Sequence, residues 1–467
     1  MNPHVSRSLA AVLLSAALLC ACTTGTPTPP APTPLAPTLP GMPSPTPSLA
    51  PTPTVVISED PAALRGVTLQ VWNAFAGTSE QVFASQVAQF NASNQWGIVV
   101  NPVGYGDYTS LFEVVNGAVA NASTSGGTPD LVAALPEQTL TWDSAGLVVD
   151  LTPYTNHPVW GLGEAGLAGI PAVFRAQDTL PDGRLLGLPA ERSARFLFYN
   201  QTWARELGFD SPPATADEFR QQACAANASF RQNASPQDDG YGGWIVDPSW
   251  QTTYAWMLTF GGSVEDGGAY TFSTDPNLAA LQFMKGLYDD NCAWISLEPR
   301  PFDSFAARSA LFVSGDLAEV ATQAESMSRL NNSDQWTVIP YPGPDGRVMV
   351  TYGPSFSLLR STPERQLAAW LFLRWLLSPE NQSQWVAASG LLPLLDFVQN
   401  PSASPQWQAA VGELSLAQGV PQLASWRKVR YVLEDGTNVI FQTGIAIDKL
   451  PSILIEMDAT AKEISDQ

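Results

Sequence analysis

Apolar and polar positions alternate in short runs along most of the chain, and the period of the runs switches between that of a strand and that of a helix. Residues 67–72, VTLQVW, alternate with a period of two, which predicts a half-buried strand. The predicted elements in order are a strand at 67–72, a helix whose N-cap is Thr78 or Ser79, a strand at 97–103, a helix at 108–121 and a strand at 128–134. This β-α-β-α-β order predicts a parallel sheet covered by helices, with ligands bound beyond the carboxyl ends of the strands.

The same patterns continue to the C-terminus, with helices dominating the last hundred residues. Strands are predicted at 195–200, 317–322, 336–341 and 348–352. Helices are predicted at 203–207, from 216 onward, and at 276–290, 302–313, 364–377, 379–388, 405–415 and 449–464. Because strands return late in the chain, we expect the chain to pass between two α/β lobes more than once.

The first residues form a segment of a different kind. The apolar run 9–19 is too short to span a bilayer and has the length of a signal-peptide core. It ends in Leu-Cys-Ala-Cys at 19–22, which resembles the lipobox of bacterial lipoproteins, where cleavage before a cysteine is followed by acylation of that cysteine. Cys22 fits this role because a small residue precedes it, so residues 1–21 are expected to be a lipoprotein signal peptide. An ordinary secretory peptide that contains cysteines is the alternative.

The segment 23–54 is built almost only of Pro, Thr, Ala, Ser, Gly and Leu and carries no charge. Such a composition cannot bury enough apolar surface to form a core, which predicts an extended tether over residues 22–60. At roughly 3.1 Å per residue, about 30 residues reach about 100 Å. With lipid on Cys22, the protein is expected to be exported and anchored to the outer face of the cell membrane, at the cell surface or in the periplasm.

Length, charge and histidine content limit the possible functions. The body of about 400 residues is too large for one ordinary core and predicts two lobes or domains. A formal net charge of −21 makes nucleic acid an unfavourable partner and disfavours a polyanionic substrate. The only histidine after the leader is His157, in a loop-like context, which argues against a histidine-dependent triad and against the usual zinc sites. No metal or cofactor is expected.

Two cysteines, Cys224 and Cys292, remain in the body. An even pair in an exported protein predicts a disulfide, which would join the helix around 219–226 to the end of the helix at 278–289. Two buried thiols are the alternative.

Several segments together point to a family. They include VTLQVWNAFAG at 67–77, GGTPDLVAAL at 126–135, GRLLGLPAERSARFLFYN at 183–200, VTYGPSFSLL at 350–359 and AAWLFLRWLL at 368–377. In this order they resemble the extracellular solute-binding protein family 1, the lipoprotein receptors that deliver sugars and related solutes to ABC importers. The series covers most of residues 67–398, and its order makes the resemblance specific.

The resemblance implies an α/β, two-lobe, periplasmic-binding-protein-like (type II) fold with a ligand cleft between the lobes and no catalysis. Lobe 1 is expected to comprise 61–190 with 301–350, and lobe 2 to comprise 191–300 with 351–467. The implied partners are a small-molecule carbohydrate and the permease subunits of an ABC transporter. The protein is expected to be a monomer.

Sugar sites combine aromatic faces, which pack on C–H groups, with planar polar side chains, which bond hydroxyls. In the first lobe the candidate ligand-binding residues, at or just past strand ends, are Trp72, Phe75, Thr78, Glu80, Tyr105 and Glu137. Around the predicted crossings and in the second lobe they are Glu191, Arg192, Arg195, Asp247, Trp250, Gln323, Tyr352, Phe356 and Trp426. Gln323 stands where maltose-type receptors carry a further stacking tryptophan, which puts maltose specificity in doubt. For each candidate a purely structural role is the alternative.

Other classes of function stay open at this stage. A surface-anchored glycoside hydrolase could use a carboxylate pair such as Asp247 with Glu191. A phosphate ester such as glycerol 3-phosphate could be bound by Arg192 with Arg195. A passive surface adhesin on the same fold would have no small-molecule pocket.

Overall fold

The computed structural model describes residues 57, 60–121, 127–163, 166–232, 235–298, 300–344, 346–398, 400 and 403–466. The predicted signal peptide 1–21, the lipidation site Cys22 and most of the tether 22–60 lie outside these residues. The described chain begins its regular structure with a 3-10 turn at Pro61–Leu64 and then forms two large β-sheets with helices packed against them.

The elements are numbered in chain order. The strands are β1 Thr68–Asn73, β2 Val99–Gly104, β3 Leu131–Ala134, β4 Leu188–Pro189, β5 Ser193–Asn200, β6 Trp244–Ile245, β7 Glu265–Asp266, β8 Ala269–Tyr270, β9 Ala293–Trp294, β10 Phe312–Asp316, β11 Trp336–Ile339, β12 Tyr341–Pro342, β13 Arg347–Tyr352, β14 Ser355–Leu358 and β15 Ala417–Gln418. The α-helices are α1 Gly77–Ser93, α2 Tyr108–Ala120, α3 Pro136–Ser144, α4 Thr152–Thr155, α5 Ala172–Ala176, α6 Gln201–Glu206, α7 Ala216–Arg231, α8 Trp250–Thr259, α9 Asp275–Asp289, α10 Phe302–Ala306, α11 Val320–Arg329, α12 Pro363–Leu376, α13 Pro379–Ser389, α14 Pro405–Gly412, α15 Trp426–Ile440 and α16 Leu450–Ser465.

The first sheet has the strand order β2-β1-β3-β14-β4. β1 pairs in parallel with β2 and β3, as the β-α-β-α-β pattern predicts, and β14 joins antiparallel to β3 from much later in the chain. The alternation in β1 buries Leu69 and Val71 in the same apolar cluster as Phe83 and Phe90 of α1. One detail differs from the prediction, because α1 begins at Gly77 after Ala76 and has no side-chain N-cap.

The second sheet has the strand order β12-β13-β5-β10-β6-β9, with β11 also pairing with β5 and β15 with β13. The central strand β5 is buried on both faces: Phe196 and Phe198 join one apolar cluster, and Leu197 and Tyr199 join another. Its partners β10, β11 and β13 run antiparallel to it. Two-sided burial explains why the sequence RFLFYN is almost continuously apolar.

The chain passes between the sheets at two adjacent crossings, where β4 leads into β5 and where β13 leads into β14, and it returns to the second sheet once more between β14 and β15. The two adjacent crossings touch each other: an added Cβ on Gly353, which has φ +153°, would lie 2.3 Å from the Glu191 carbonyl oxygen. The Arg192 guanidinium joins the crossings, because it donates to the carbonyl oxygens of Glu191 at 2.9 Å and of Gly353 at 3.2 Å. It also donates to Ser355 Oγ at 2.8 Å.

The strand pairing does not follow the expected division of the chain into lobes. We expected residues 301–350 to join 61–190, but β10, β11 and most of β13, which lie in that range, pair with β5 in the second sheet. Conversely, β14 lies within 351–467 and pairs in the first sheet. Antiparallel pairing with β5, which is buried from Ala194 to Asn200, satisfies the backbone of this region within the second sheet.

The predicted helix at 302–313 and strand at 317–322 are wrong in their bounds. α10 ends at Ala306, the strand is β10, and 317–322 holds a 3-10 turn and the start of α11. Arg308 stops the helix, since it has φ +60° and its guanidinium is held by Asp334 and Glu206 at 2.6–2.7 Å. A tertiary ion-pair cluster thus overrides the local helical pattern.

Cys224, in α7, and Cys292, just after α9, form a disulfide with an S–S distance of 1.89 Å. This confirms the predicted pairing. The bond lies in the apolar cluster behind the second sheet, close to β6 and β9.

Candidate ligand-binding site

We call the first lobe the part built around the first sheet and the second lobe the part built around the second sheet. A cavity of about 310 Å³ lies between side chains of these two lobes. Its first-lobe wall includes the N-termini of α2 and α3, its floor is made by the two crossings, and its second-lobe wall includes the N-termini of α8 and α15. The lining residues are Tyr108, Leu135, Pro136, Glu137, Glu191, Ser193, Trp250, Gln251, Tyr352, Gly353, Pro354, Leu391, Val420, Trp426, Arg430 and Tyr431. The site therefore depends on both lobes.

Aromatic rings form the second-lobe wall. Trp250 is the first residue of α8, where Ser249 caps the helix, and Trp426 is the first residue of α15. The Trp250 ring centroid lies 5.7 Å from that of Trp426 and 5.5 Å from that of Tyr352. These edge-on contacts fix the rings in a rigid apolar surface of the kind on which the C–H face of a sugar packs.

Several buried polar atoms in the cavity wall lack a hydrogen-bond partner. Within the described part of the chain they include Glu191 Oε2, Ser193 Oγ, Trp426 Nε1 and Arg430 Nε, and all four residues line this one cavity. Buried polar groups are normally paired, because an unpaired group keeps the full cost of leaving water. Two donors, a carboxylate acceptor and a hydroxyl gathered beside aromatic rings suit a ligand with several hydroxyl groups.

Glu191 is a carboxylate of unusual character at the floor of the cavity. Burial raises the pKa of Glu191 to about 7, although the Ser79 hydroxyl and the charge of Arg192 act in the opposite direction. The neighbouring Tyr108 hydroxyl has its pKa raised by burial and by the charge of Glu191. Near neutral pH, Glu191 can therefore either accept or donate a hydrogen bond to a ligand.

Glu137 and Arg430 form an ion pair from one wall of the cavity to the other. Glu137 Oε1 lies 2.9 Å from Arg430 Nη1, and the Glu137 side chain is only 3% exposed. Burial raises the pKa of Glu137, while the charge of Arg430 lowers it. The Arg430 guanidinium also lies over the Trp250 ring, 5.8 Å from its centroid.

With this geometry in view, comparison with known proteins gives the family. A family model described as a bacterial extracellular solute-binding protein matches residues 85–412, which is more than half of the chain. The chain belongs to the bacterial extracellular solute-binding proteins. Members of this family bind solutes rather than transform them, and they act outside the cytoplasm.

Solved structures show the two-lobe fold of this solute-binding protein at low sequence identity. The sugar-binding protein MalE of Xanthomonas citri has a TM-score of 0.72 and 18% identity, with 86% of this chain and 98% of that chain covered. The cyclic alpha-maltosyl-1,6-maltose binding protein of Arthrobacter globiformis has a TM-score of 0.68 and 20% identity, covering 86% and 100%. UgpB of Mycobacterium tuberculosis, solved with glycerophosphocholine, has a TM-score of 0.67 and 17% identity, covering 85% and 98%.

Among curated proteins, a putative binding protein of Brucella abortus is 23% identical over 276 residues, which cover 56% of this chain. The match spans 64% of the length of that relative. None of the helices that the structure describes is both long enough and apolar enough to be a transmembrane span.

Five of the residues predicted from the sequence line the cavity of the solute-binding protein: Glu137, Glu191, Trp250, Tyr352 and Trp426. The two predicted arginines have structural roles instead. Arg192 is completely buried and pairs with Asp178 at 3.1 Å in addition to its bonds to the crossings. Arg195 pairs with Asp247 and, at 2.8 Å, with Asp316, so neither guanidinium lines the cavity.

Asp247 is held by the same internal network. Its carboxylate accepts hydrogen bonds from Arg195, from Ser249 Oγ at 2.9 Å and from Thr252 Oγ1. Burial alone would raise the pKa of Asp247, but the charge of Arg195 and these hydrogen bonds lower it. Asp247 thus positions the start of α8, and with it Trp250, without lining the cavity.

The other predicted residues lie outside the cavity lining. Trp72 packs against Tyr105 with ring centroids 5.1 Å apart, and Phe75 and Phe356 pack against each other in the core. Gln323 is buried and donates to the Phe302 carbonyl at 3.1 Å. Thr78 and Glu80 are exposed in the first turn of α1.

The lining residues with polar side chains that were not among the predicted candidates belong mainly to the helices α2, α8 and α15. Tyr108, Gln251, Arg430 and Tyr431 line the cavity, and Arg430 follows Trp426 by one helical turn. Apolar residues recur through α15 at Trp426, Val429, Leu433 and Ile440, all of them buried. That helical period was the available signal, and it would have placed Trp426 and Arg430 on neighbouring positions of one helix face.

Proposed function

We propose that this solute-binding protein captures a neutral carbohydrate or related polyol between its two lobes and delivers it intact to the permease of an ABC importer. The observation that carries the proposal is one interlobe cavity that combines the rings of Trp250, Trp426 and Tyr352 with unpartnered polar atoms of Glu191, Ser193 and Arg430. Aromatic faces beside planar polar groups favour a saccharide. Closure excludes water, and the ligand shifts the balance between open and closed forms by its greater affinity for the closed one.

The charges of the site favour a neutral ligand over a phosphate ester. Arg192 and Arg195, which could have bound phosphate, are occupied by Asp178, Asp247 and Asp316. The guanidinium that lines the cavity, Arg430, is paired with Glu137. An anion would therefore meet Glu137 and Glu191 beside an arginine that is already paired, which costs affinity.

The hydrolase alternative receives less support. Of the suggested carboxylate pair, Glu191 lines the cavity but Asp247 is committed to Arg195, Ser249 and Thr252. Glu137, the other carboxylate of the lining, is committed to Arg430. Neither arrangement leaves a second free carboxylate to act as nucleophile or base.

The test is a ligand panel that contains mono- and oligosaccharides, polyols, glycerol 3-phosphate and glycerophosphocholine. We expect at least one neutral sugar or polyol to raise the melting temperature and to reduce the radius of gyration in small-angle scattering. Glycerol 3-phosphate should do neither. Tighter binding of the phosphate ester than of every neutral solute, or no response to the whole panel, would contradict the proposal.

A further inference from the structure

The ion pair between Glu137 and Arg430 joins the two lobes through the wall of the ligand cavity. Glu137 is the second residue of α3 in the first lobe, and Arg430 lies in the second turn of α15 in the second lobe. The side chains are 3% and 14% exposed, so water screens their attraction little. Arg427, on the preceding turn of α15, makes a second contact between the lobes. Its guanidinium lies over the ring of Phe112 in α2, 4.3 Å from the ring centroid, which is a cation–π contact.

The Arg430 guanidinium is only partly satisfied by this pairing. Nη1 donates to Glu137 at 2.9 Å, while Nε is buried and has no partner within the described part of the chain. The guanidinium also lies over the rings of Trp250 and Tyr431, with its carbon 5.8 and 5.2 Å from the ring centroids. Arg430 thus keeps an N–H donor on a residue of the cavity lining, while Glu137 opposes its positive charge.

We infer that Arg430 is a ligand contact and that Glu137 is the positioning residue that sets its selectivity, an inference that rests on the proposed function. In the closed form Glu137 orients the Arg430 guanidinium and opposes its charge. The Nε–H of Arg430 then donates a hydrogen bond to a hydroxyl or ring oxygen of a neutral solute. An anionic solute is rejected because it would have to compete with Glu137 for the same guanidinium. When the lobes separate, the pair breaks, so that selection and closure depend on the same two side chains.

The experiment removes the negative charge with Glu137→Gln and compares matched neutral and anionic probes at pH 7: glucose with glucuronate, and glycerol with glycerol 3-phosphate. The ratio of the affinities for the anionic and the neutral probe should rise about tenfold in E137Q, because Arg430 is then uncompensated. Scattering of the ligand-free protein should give a larger radius of gyration for E137Q than for wild type.

Controls separate a local effect from misfolding and from a general change of charge. Glu113→Gln removes an exposed acid of α2, and Lys428→Gln removes an exposed base of α15, and neither should change the probe ratio or the radius. Each variant is first checked for a cooperative thermal transition. If E137Q does not fold, the double variant Glu137→Gln/Arg430→Met, which leaves no buried unpaired charge, should fold, open in the ligand-free state and lose affinity for the neutral probes.

The outcomes are distinct. The inference is overturned if the ratio of the affinities for the anionic and neutral probes, or the radius of gyration, is the same in E137Q as in wild type. The proposed function survives that failure if E137Q and wild type still bind a neutral probe. If no probe binds either protein, the comparison is repeated with the neutral solute found in the full panel, and only failure of that whole panel overturns both the ligand role of Arg430 and the proposed function. An anionic probe that binds E137Q and not wild type supports the inference even where no neutral probe binds.

Discussion

At the scale of single residues, the site contains polar groups that lower stability. Glu191 is a carboxylate kept in a buried position where its pKa is raised to about 7, and its Oε2 atom has no partner. The structure thus retains an ionisable group that a core would exclude, which is typical of a position kept for binding. In contrast, Arg192 and Arg195 form ion pairs with Asp178 and with Asp247 and Asp316, and they stabilise the crossings and the start of α8.

Replacement of Glu191 by Gln should change how stability depends on pH. Because the pKa of Glu191 is raised in the folded state, the unfolded chain loses its proton first, and wild-type stability should fall as pH rises from about 4.5 to about 7. The neutral amide avoids this loss, so E191Q should gain on the order of 3 kcal/mol relative to wild type at pH 8 and almost nothing at pH 4.5. Urea unfolding at the two pH values measures the difference.

The exposed acid variant Glu113→Gln is the control for the loss of one negative charge outside the cavity. If the stability of E191Q relative to wild type does not depend on pH, the carboxyl of Glu191 does not titrate near neutrality in the folded protein.

Removal of the Tyr431 ring should weaken binding without unfolding the protein. Tyr431 lines the cavity and is 50% exposed, so Tyr431→Ser creates no core cavity. An aromatic contact contributes about 0.5–1.5 kcal/mol, which corresponds to a loss of affinity of roughly 2- to 10-fold. Titration calorimetry with the neutral ligand found in the panel measures this loss, and the melting temperature should not change.

Tyr241→Ser is the matched control, because Tyr241 is also exposed and lies outside the cavity lining. Equal affinities for the two variants would show that Tyr431 does not contact the ligand.

At the scale of elements, patterns that depend on neighbouring residues were predictable and those that depend on distant partners were not. The β-α-β-α-β start and the helices at α9, α12, α13 and α16 agree with the sequence to within about two residues, since each has a clear apolar period. The strand β10 was predicted too late in the chain because the end of helix α10 near Arg308 could not be recognised locally. That end depends on the ion pairs of Arg308 with Asp334 and Glu206, which are both remote from Arg308 in the sequence.

The candidate site shows the same division. Trp250, Tyr352 and Trp426 were found because aromatic residues beside turns or at helix starts can be recognised locally. Arg430 and Tyr108 were missed because their place in the cavity depends on how α15 and α2 approach each other across the cleft. The roles of Arg192 and Asp247 were also not accessible, since Arg192 is held by hydrogen bonds to Gly353 and Ser355 and Asp247 by an ion pair with Arg195, all far away in the sequence.

Loss of the disulfide should lower stability and leave ligand affinity unchanged. The bond between Cys224 and Cys292 closes a loop with a sequence separation of 68, for which the chain-entropy model gives at most about 4 kcal/mol. Cys224→Ser/Cys292→Ser should therefore unfold at lower urea concentration by an amount within this limit. Neither cysteine lines the cavity, so the dissociation constant should match that of wild type.

Wild-type protein treated with a reductant provides the comparison and should behave like the double variant. A reductant that leaves the urea midpoint unchanged, or a double variant with altered affinity, would contradict the assigned role of the bond.

At the scale of the whole molecule, two sheets joined by paired crossings hold a ligand cavity whose walls come from both lobes. The crossings at Glu191 and Gly353 touch each other and form the floor, so movement of the lobes about them changes the width of the cavity directly.

The anchor can be tested independently of the ligand. If Cys22 carries the lipid, Cys22→Ser should move the protein from the membrane fraction to the soluble fraction, because the acyl chains that insert into the bilayer are then missing. Cys20→Ser is the control and should stay in the membrane fraction. The wild-type protein should begin at Cys22 with an added lipid mass, and an unmodified Cys22 would contradict the prediction.

The most direct measurement of the central claim is native mass spectrometry of the protein isolated without refolding and then incubated with the solute panel. The account predicts a one-to-one complex with a neutral saccharide or polyol, which is weakened by Tyr431→Ser and retained by Tyr241→Ser. Protein that stays free of every neutral solute, or that carries only a phosphorylated one, would contradict it.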